Sequence, residues 1–481
     1  MFRKINFIWL CVCSVALLLG SCQKWDKHNE LTDPALGKDL FQRISENADL
    51  SKFAELLVKS GYDKVIVSSK TYTVFAPTNA ALATLDAAIV NDSTKLRLFV
   101  GNHIATQSYF TSSAAAPLRI AMINGKYNNL LGKKLEDATI TSGDQVAKNG
   151  VLQVIDKMIP ALSNIWETFE TNTLIPAKQK AYLQTLYRNV FDATNAVQTG
   201  VDPLTGKPIY KPGTDSVRTN TYWTTVHNLR NESRQYTFFV LADAAWDAEV
   251  NKMKPYYATS TIDSTNNLAS FDVARDLALD SVYSTTTTGL ATDTLLSKFQ
   301  TKVPVQKSAI LQTIKTSNGV IYVMTKVDVA PASKLKSFFI EGENYSGTSA
   351  DRRSNTYFRD RFNPLTGKNF RDVLVSGHGL ALFNIRYQVN QANSVKYRAY
   401  WVAVNDFQTA AYSQRLALDS STATALPYTN VALNDYNEIY IGEVTVLRYK
   451  PSMSVYLVAA NSTTAAVNPL VCDYIKLVPV P

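Results

Sequence analysis

Tyr72-Thr73-Val74-Phe75-Ala76-Pro77-Thr78-Asn79 and, further on, Lys148-Asn149-Gly150-Val151-Leu152-Gln153-Val154-Ile155-Asp156-Lys157 are the stretches on which the fold of this chain turns. In the first, β-branched and aromatic residues run into a proline, which ends strand pairing, and then into Thr and Asn, which can cap exposed helix N–H groups. That is the pattern of a strand-to-helix corner. In the second, Asn-Gly supplies the positive backbone angles of a tight turn, and the residues after it alternate as a strand does. Both stretches recur. Tyr236-Thr237-Phe238-Phe239-Val240-Leu241-Ala242-Asp243 echoes the first faintly, and Ser317-Asn318-Gly319-Val320-Ile321-Tyr322-Val323-Met324-Thr325-Lys326 echoes the second clearly. The motifs begin 76 residues apart in the first copy (72 to 148) and 81 in the second (236 to 317), so two tandem domains of one type are expected.

Upstream of the first motif, Leu40, Phe41 and Ile44, then Leu50, Phe53, Leu56 and Leu57, recur at helical spacing and predict helices that cover the sheet. On the Thr73–Asn79 corner, the Asn102-His103-Ile104 segment and the closing Asn149-Gly150-Val151 to Ile155-Asp156, the first copy resembles the fasciclin domain, an extracellular adhesion module. The resemblance implies an α+β fold and nominates His103 for an adhesion surface; the reading from residues alone is a satisfied structural histidine. The second copy has Val240-Leu241-Ala242-Asp243 where the proline corner would stand, no matching histidine, and an insertion rich in turn formers, Asp202-Pro203-Leu204-Thr205-Gly206-Lys207-Pro208.

Beyond about Lys334 the helical periodicity stops. Strands are expected at Phe338 to Glu341, Leu380 to Val389, Tyr397 to Val404, Ile439 to Leu447, Val455 to Ala459 and Tyr474 to Val480, with turns at short intervals, as in a β-sandwich. The opening Ile340-Glu341-Gly342-Glu343-Asn344-Tyr345 and the closing Asp473-Tyr474-Ile475-Lys476-Leu477 resemble the first and last strands of galactose-binding-like jelly rolls, many of them carbohydrate-binding modules. That resemblance implies a structural calcium on Glu341, Glu343 and Asp473. Calcium asks for six to eight oxygens, so three carboxylates alone fall short, and solvated edge charges are the alternative reading.

The chain starts Met1-Phe2-Arg3-Lys4, continues through a short apolar run and reaches Leu19-Gly20-Ser21-Cys22. A basic start and an apolar stretch too short to remain in a bilayer read as an export signal, an ordinary cleaved one being the alternative to a lipoprotein signal. The resemblance to bacterial lipoprotein signals implies lipid on Cys22, and several acyl chains give stable anchoring. Residues 22–35 read as a tether. Cys11 and Cys13 would leave with the signal, so only Cys472 remains and no internal disulfide can form. Cys472 reads as a small core residue.

Hydrophobic residues at 46% with 19% charged is an ordinary globular balance. The net charge of +9 comes from scattered bases, which argues against nucleic-acid binding. A glycan site needs an aromatic platform beside planar hydrogen-bonding groups, for which Tyr357, Arg359, Asp360, Arg361, Tyr412, Tyr428, Tyr436 and Asn437 are loop-like residues of the right types. The repeated Pro203-Leu204-Thr205-Gly206-Lys207 and Pro364-Leu365-Thr366-Gly367-Lys368 lack the first glycine and final hydroxyl of a phosphate loop and read as hairpin turns. No nucleophile elbow, zinc-protease motif or paired His/Cys spacing is found.

The expectation is therefore a multidomain chain with two α+β fasciclin-like domains and an all-β jelly-roll-like sandwich. Its divisions are a signal at 1–21, the tether, domains at 36–161 and 162–334, and the sandwich at 335–481. The expected role is that of a non-catalytic lipoprotein of the outer membrane, binding extracellular polysaccharide or protein and needing no cofactor beyond the possible calcium. Alternatives are an accessory subunit of a glycan-uptake complex and, behind it, a glycan hydrolase with dispersed carboxylates.

Overall fold

The computed structural model describes residues 37–67, 70–283, 294–422 and 425–481. The expected signal, tether and Cys22 lie outside the described residues. Two compact units result: Met1–Thr168 with Leu229–Gln235 and Lys315–Gly319, and the remainder, Phe169–Asn228, Tyr236–Ile314 and Val320–Pro481.

In the first unit the two deciding stretches lie side by side. Strand Tyr72–Pro77 pairs in parallel with Gly150–Ile155, Tyr72 opposite Gly150 and Pro77 opposite Ile155, at the heart of a seven-stranded sheet. All six residues of each strand are buried, which explains runs without polar alternation. One face of the sheet packs Val74, Ala76, Leu152 and Val154 against helices Leu40–Ser45, Ser51–Ser60 and Ser93–Gly101. The other packs Phe75, Ala105 and Ile155 against Ile120, Leu130 and Leu135 from short strands. Gly150 has φ +152°, and a Cβ there would stand 1.9 Å from the Tyr72 carbonyl oxygen, so only glycine fits. Asn149 supplies the second half of the motif: its side-chain oxygen accepts from Leu40 N at 2.9 Å, fixing the first helix to the turn. The corner after Pro77 leads into turns rather than directly into a helix. Asn79 instead accepts from Lys52 N at 3.0 Å, satisfying the start of helix Ser51–Ser60 from a distance.

The expected second copy, residues 162–334, has a four-stranded sheet that shares part of this plan. Its sheet order, Ala278–Leu279, Tyr236–Leu241, Gly319–Met324, Ile310–Thr316, matches Ile104–Ala105, Tyr72–Pro77, Gly150–Ile155, Ala138–Ala147. The buried Thr73 hydroxyl donates to Gln107 O (2.8 Å) and accepts from Tyr109 N (2.7 Å); Thr237 does the same with Ser281 O (2.8 Å) and Tyr283 N (2.9 Å). Phe75 N donates to His103 O and Phe239 N to Leu277 O, both at 2.8 Å, so Leu277 holds the place of His103. Asn318 accepts from Ile165 N (2.8 Å) and Gly319 has φ +147°, as at Asn149 and Gly150. Here helix Asp243–Met253 does follow the strand at once. The insertion forms a ribbon, Tyr187–Phe191 with Ser216–Asn220 and Gln198–Val201 with Pro208–Tyr210. Its turn and the one at residues 364–368 are the expected hairpin turns, with Gly206 at φ +67° and Gly367 at φ +68°.

From Phe338 onward the regular structure of the described residues is strand, apart from one short 3-10 turn at Arg353–Asn355. A four-stranded sheet (Phe338–Glu341, Tyr474–Val480, Lys396–Val402, Ile439–Thr445) and a five-stranded one (Gly347–Thr348, Asn384–Ala392, Lys450–Ala459, Tyr412–Leu418, Thr429–Val431) enclose a core that includes Tyr387, Tyr397, Trp401, Leu457 and Cys472. First and last strands pair antiparallel, Phe338 opposite Leu477. A hairpin missed from the pattern, Thr356–Asn363 with Lys368–Val375, joins Leu470–Cys472 in a third sheet. Cys472 is free and buried.

Within the second unit the sandwich is bonded to the α+β region before it. Ser394 N donates to Tyr256 O (3.0 Å), Ser394 Oγ to Pro255 O (2.7 Å), and Tyr449 N to Ala258 O (2.7 Å). On the linking segment, Lys334 is buried and pairs with Asp276 at 2.6 Å and Asp272 at 3.3 Å, both buried carboxylates of the preceding helical region. Burial works to raise Asp276, but Lys334 and Arg275 outweigh it and hold the carboxyl below its ordinary range.

Candidate functional site

The sandwich carries an open cleft of about 620 Å³ where the end of its first strand meets the start of its last. Glu341, Glu343 and Asp473 line it, together with Tyr436 and Asn437, so five residues nominated from sequence come together here. Sequence reasoning missed Asn363, Phe370, Arg371, Glu438 and Tyr474, which also line it. The Phe370 and Tyr436 rings meet edge to face at 6.4 Å, and Asn363 Nδ2 donates to Tyr436 O at 3.4 Å. Asn437 is held by Asp435, which accepts from its backbone N (3.0 Å) and its side-chain Nδ2 (2.9 Å). Aromatic rings and planar amide and guanidinium groups thus line the same cleft.

Carboxylates line the cleft as well. Burial, then the neighbouring charges of Glu341, Asp372 and Glu343, push the Asp473 carboxyl up to about 7. Burial and Glu343 also raise Glu341. One Glu343 carboxylate oxygen is buried with no hydrogen-bond partner. This charge would suit a cation, but among the described residues no group of three or more His, Cys, Asp or Glu is placed to hold a metal ion, so Glu341, Glu343 and Asp473 line the cleft without forming a ready-made site.

The other nominated residues lie elsewhere, and all but Tyr428 and the buried His103 are on strands rather than loops. Tyr357, Arg359 and Arg361 are on strand Thr356–Asn363. Arg359 is committed internally, donating to Asp372 through Nε (2.8 Å) and Nη2 (2.5 Å) and to Asp406 (2.7 Å). Arg361 pairs with Asp406 at 3.1 Å, and Asp360 lies 3.9 Å from Arg371. Tyr357 is half exposed. Tyr412 belongs to the core, and burial raises its hydroxyl well above the usual range. Tyr428 donates to Ala459 O at 3.0 Å beneath the Arg415 guanidinium. A smaller cleft of about 310 Å³ is lined by Tyr345, Thr348, Asp351, Arg352, Arg353 and Thr356.

His103 is no surface residue. It is fully buried between Phe53 and Phe99; Nδ1 donates to Phe99 O (2.9 Å) and Nε2 accepts from Ile159 N (3.0 Å). Burial drives its pKa down to about 4, keeping it neutral. The adhesion role nominated for it is corrected: both ring nitrogens are already used inside the core.

Residues 48–161 match the family profile of the fasciclin domain, and this part of the chain has the fasciclin fold, followed by β-rich structure. No curated protein matches. Among solved structures, the chain is similar to the FAS1 domain pair of the insect cell adhesion molecule fasciclin I (15% identity, TM-score 0.24, covering 60% of this chain and 100% of that one). It is also similar to a family 35 carbohydrate-binding module from Clostridium thermocellum (15%, TM-score 0.22, 30% and 99%) and to a family 6 carbohydrate-binding module (18%, TM-score 0.20, 30% and 94%). No helix among the described residues is long and apolar enough to cross a membrane, which says nothing of a β-barrel.

Proposed function

We propose that this chain is a non-catalytic, lipid-anchored envelope protein that captures extracellular polysaccharide through the cleft of its terminal sandwich, with the fasciclin domain serving adhesion. The observation that carries this is the cleft lining: the Tyr436 and Phe370 rings, in contact with each other, together with Asn437, Asn363 and Arg371, combine apolar faces and planar hydrogen-bonding groups of the kind sugars require. The Leu19-Gly20-Ser21-Cys22 sequence supports the anchor at Cys22, and the repeated bond pattern supports a second fasciclin-like copy. Binding of the full chain to a panel of polysaccharides tests the reading. Tyr436→Ala and Asn437→Ala are each expected to weaken binding about tenfold, the scale of a central contact residue. A chain that binds no polysaccharide, or turnover of one that a single carboxylate substitution abolishes, refutes it.

A second reading, a structural subunit of a glycan-uptake complex, draws on the ribbon of residues 187–220. It holds Phe191, Val201, Leu204 and Val217 in water, with Leu204 94% exposed at its turn. Stable co-purification of membrane partners that is lost when Leu204 becomes Asp would favour it.

A further inference from the structure

One register row of the four-stranded sheet differs from what a solvent face ordinarily carries. Phe339 pairs with Lys476, Lys476 with Tyr400, and Tyr400 with Tyr440, so the row crosses all four strands. Their chain neighbours Ile340, Ile475, Trp401 and Ile441 point into the core, so the row faces outward. Phe339 is 59% and Tyr440 52% exposed, and both stand on the outermost strands, where exposed apolar groups are a liability unless they are used. Tyr474, two residues from Lys476 on the same face, packs its ring 4.5 Å from Phe339, and Tyr400 lies 5.4 Å from Tyr440. Tyr474 also lines the cleft, as does Glu341, two residues from Phe339, so the row and the cleft are continuous. With strands about 4.8 Å apart, the row spans roughly 14 Å alongside the cleft, whose lining includes Glu341, Tyr474, Val402 and Glu438 at the ends of the same strands.

Charge narrows what could lie on it. Around the rings, Lys476 pairs with Glu438 (2.8 Å), Lys396 with Glu443 (2.9 Å) and Arg398 with Glu443 (3.2 Å). These interleaved pairs break up any broad apolar patch of the kind that marks a protein partner. Counting exposed Glu341, two residues from Phe339 on the same side of its strand, three cations face three carboxylates, leaving no net charge to attract an anionic chain.

We infer that this sheet face is a stacking platform for a neutral polysaccharide, on which the exposed rings of Phe339 and Tyr440, backed by Tyr474 and by Tyr400 beneath Lys476, support sugar rings of a chain that also reaches into the cleft. The inference rests on the polysaccharide-binding reading of the cleft and adds to it a length requirement and a charge preference. Were these rings present only to strengthen the sheet as cross-strand pairs, β-branched residues would replace them without affecting ligand.

The test compares the full chain with a Phe339→Thr/Tyr440→Thr double variant, which keeps strand-compatible side chains. Both are titrated with soluble neutral β-linked polymers, with a tetrasaccharide of each, and with polygalacturonate, and melting temperatures are recorded alongside. The double variant is expected to lose about tenfold or more in affinity for the polymer while keeping its affinity for the tetrasaccharide. Polymer affinity within twofold of the parent overturns the platform while leaving the cleft reading in place. Equal loss for polymer and tetrasaccharide overturns it too, since the substitutions would then act through the cleft. Preference of the parent for polygalacturonate overturns the charge argument. A parent chain that binds none of the probes removes the cleft reading itself.

Discussion

His103 offers a quantitative test of how the first unit is built. The ring sits between Phe53 and Phe99 with both nitrogens engaged, and burial lowers its pKa from 6.5 to about 4. Because the folded-state value is depressed, folding loses nothing above pH 6.5 and loses progressively as pH falls from there toward 4. A gap of about 2.5 units at 1.36 kcal/mol each amounts to about 3 kcal/mol, a large part of a domain's usual margin. Urea unfolding of the full chain followed between pH 7.5 and 4.5 should show an early transition that weakens on acidification. His103→Leu should cost about 1–3 kcal/mol at neutral pH, because Ile159 N–H then lacks an acceptor, and should remove most of the acid sensitivity. Leucine is the natural choice, since Leu277 occupies the same place in the second copy. An imidazole resonance for His103 that titrates near 6.5, or an acid slope that survives the substitution, would refute the reasoning.

Three further outcomes follow from the geometry. Gly150→Ala drives a Cβ into the Tyr72 carbonyl at a positive φ and should cost about 3 kcal/mol or more, read as lost melting temperature or failure to express as a folded chain. Lys334→Met removes one of the two cations facing the buried Asp272 and Asp276, leaving Arg275 alone against both; a loss of about 2–3 kcal/mol is expected, partly restored when Asp276→Asn is added, and additive losses would count against the pairing. Glu341→Gln removes one of the like charges around Asp473 and should stabilise the sandwich in chelator by about 1 kcal/mol. The gain should be larger at pH 8 than at pH 6, where Asp473 has taken up a proton, and a loss at both pH values would contradict it.

Much of the fold was legible because backbone demands leave marks that composition cannot hide. Asn-Gly occurs where a positive φ and a side-chain cap are both needed, and it recurs where the second copy needs them. The helices were read from Leu40 to Leu57 because each buries one face. What escaped notice did so for physical reasons. Strand Thr356–Asn363 inverts the usual pattern, exposing Phe358 and Phe362 while tucking Arg359 against Asp372 and Asp406, so alternation pointed the wrong way and its residues read as loop. Tyr412 and His103 were chosen for chemistry that burial then denies them. Phe370 and Tyr474 reach the cleft only through pairings far apart in sequence, Phe370 opposite Arg361 and Tyr474 opposite Glu341, which a single strand's periodicity does not encode.

The bonds from Ser394 and Tyr449 to residues 255–258, with Lys334 sealed between two aspartates, bear on how the second unit would behave under tension. A ligand fibre dragging on the sandwich would load these contacts together instead of bending the chain at a swivel. The binding face would keep its aim relative to the preceding sheet until the whole set parted at once, giving a sharp release in place of a gradual yield.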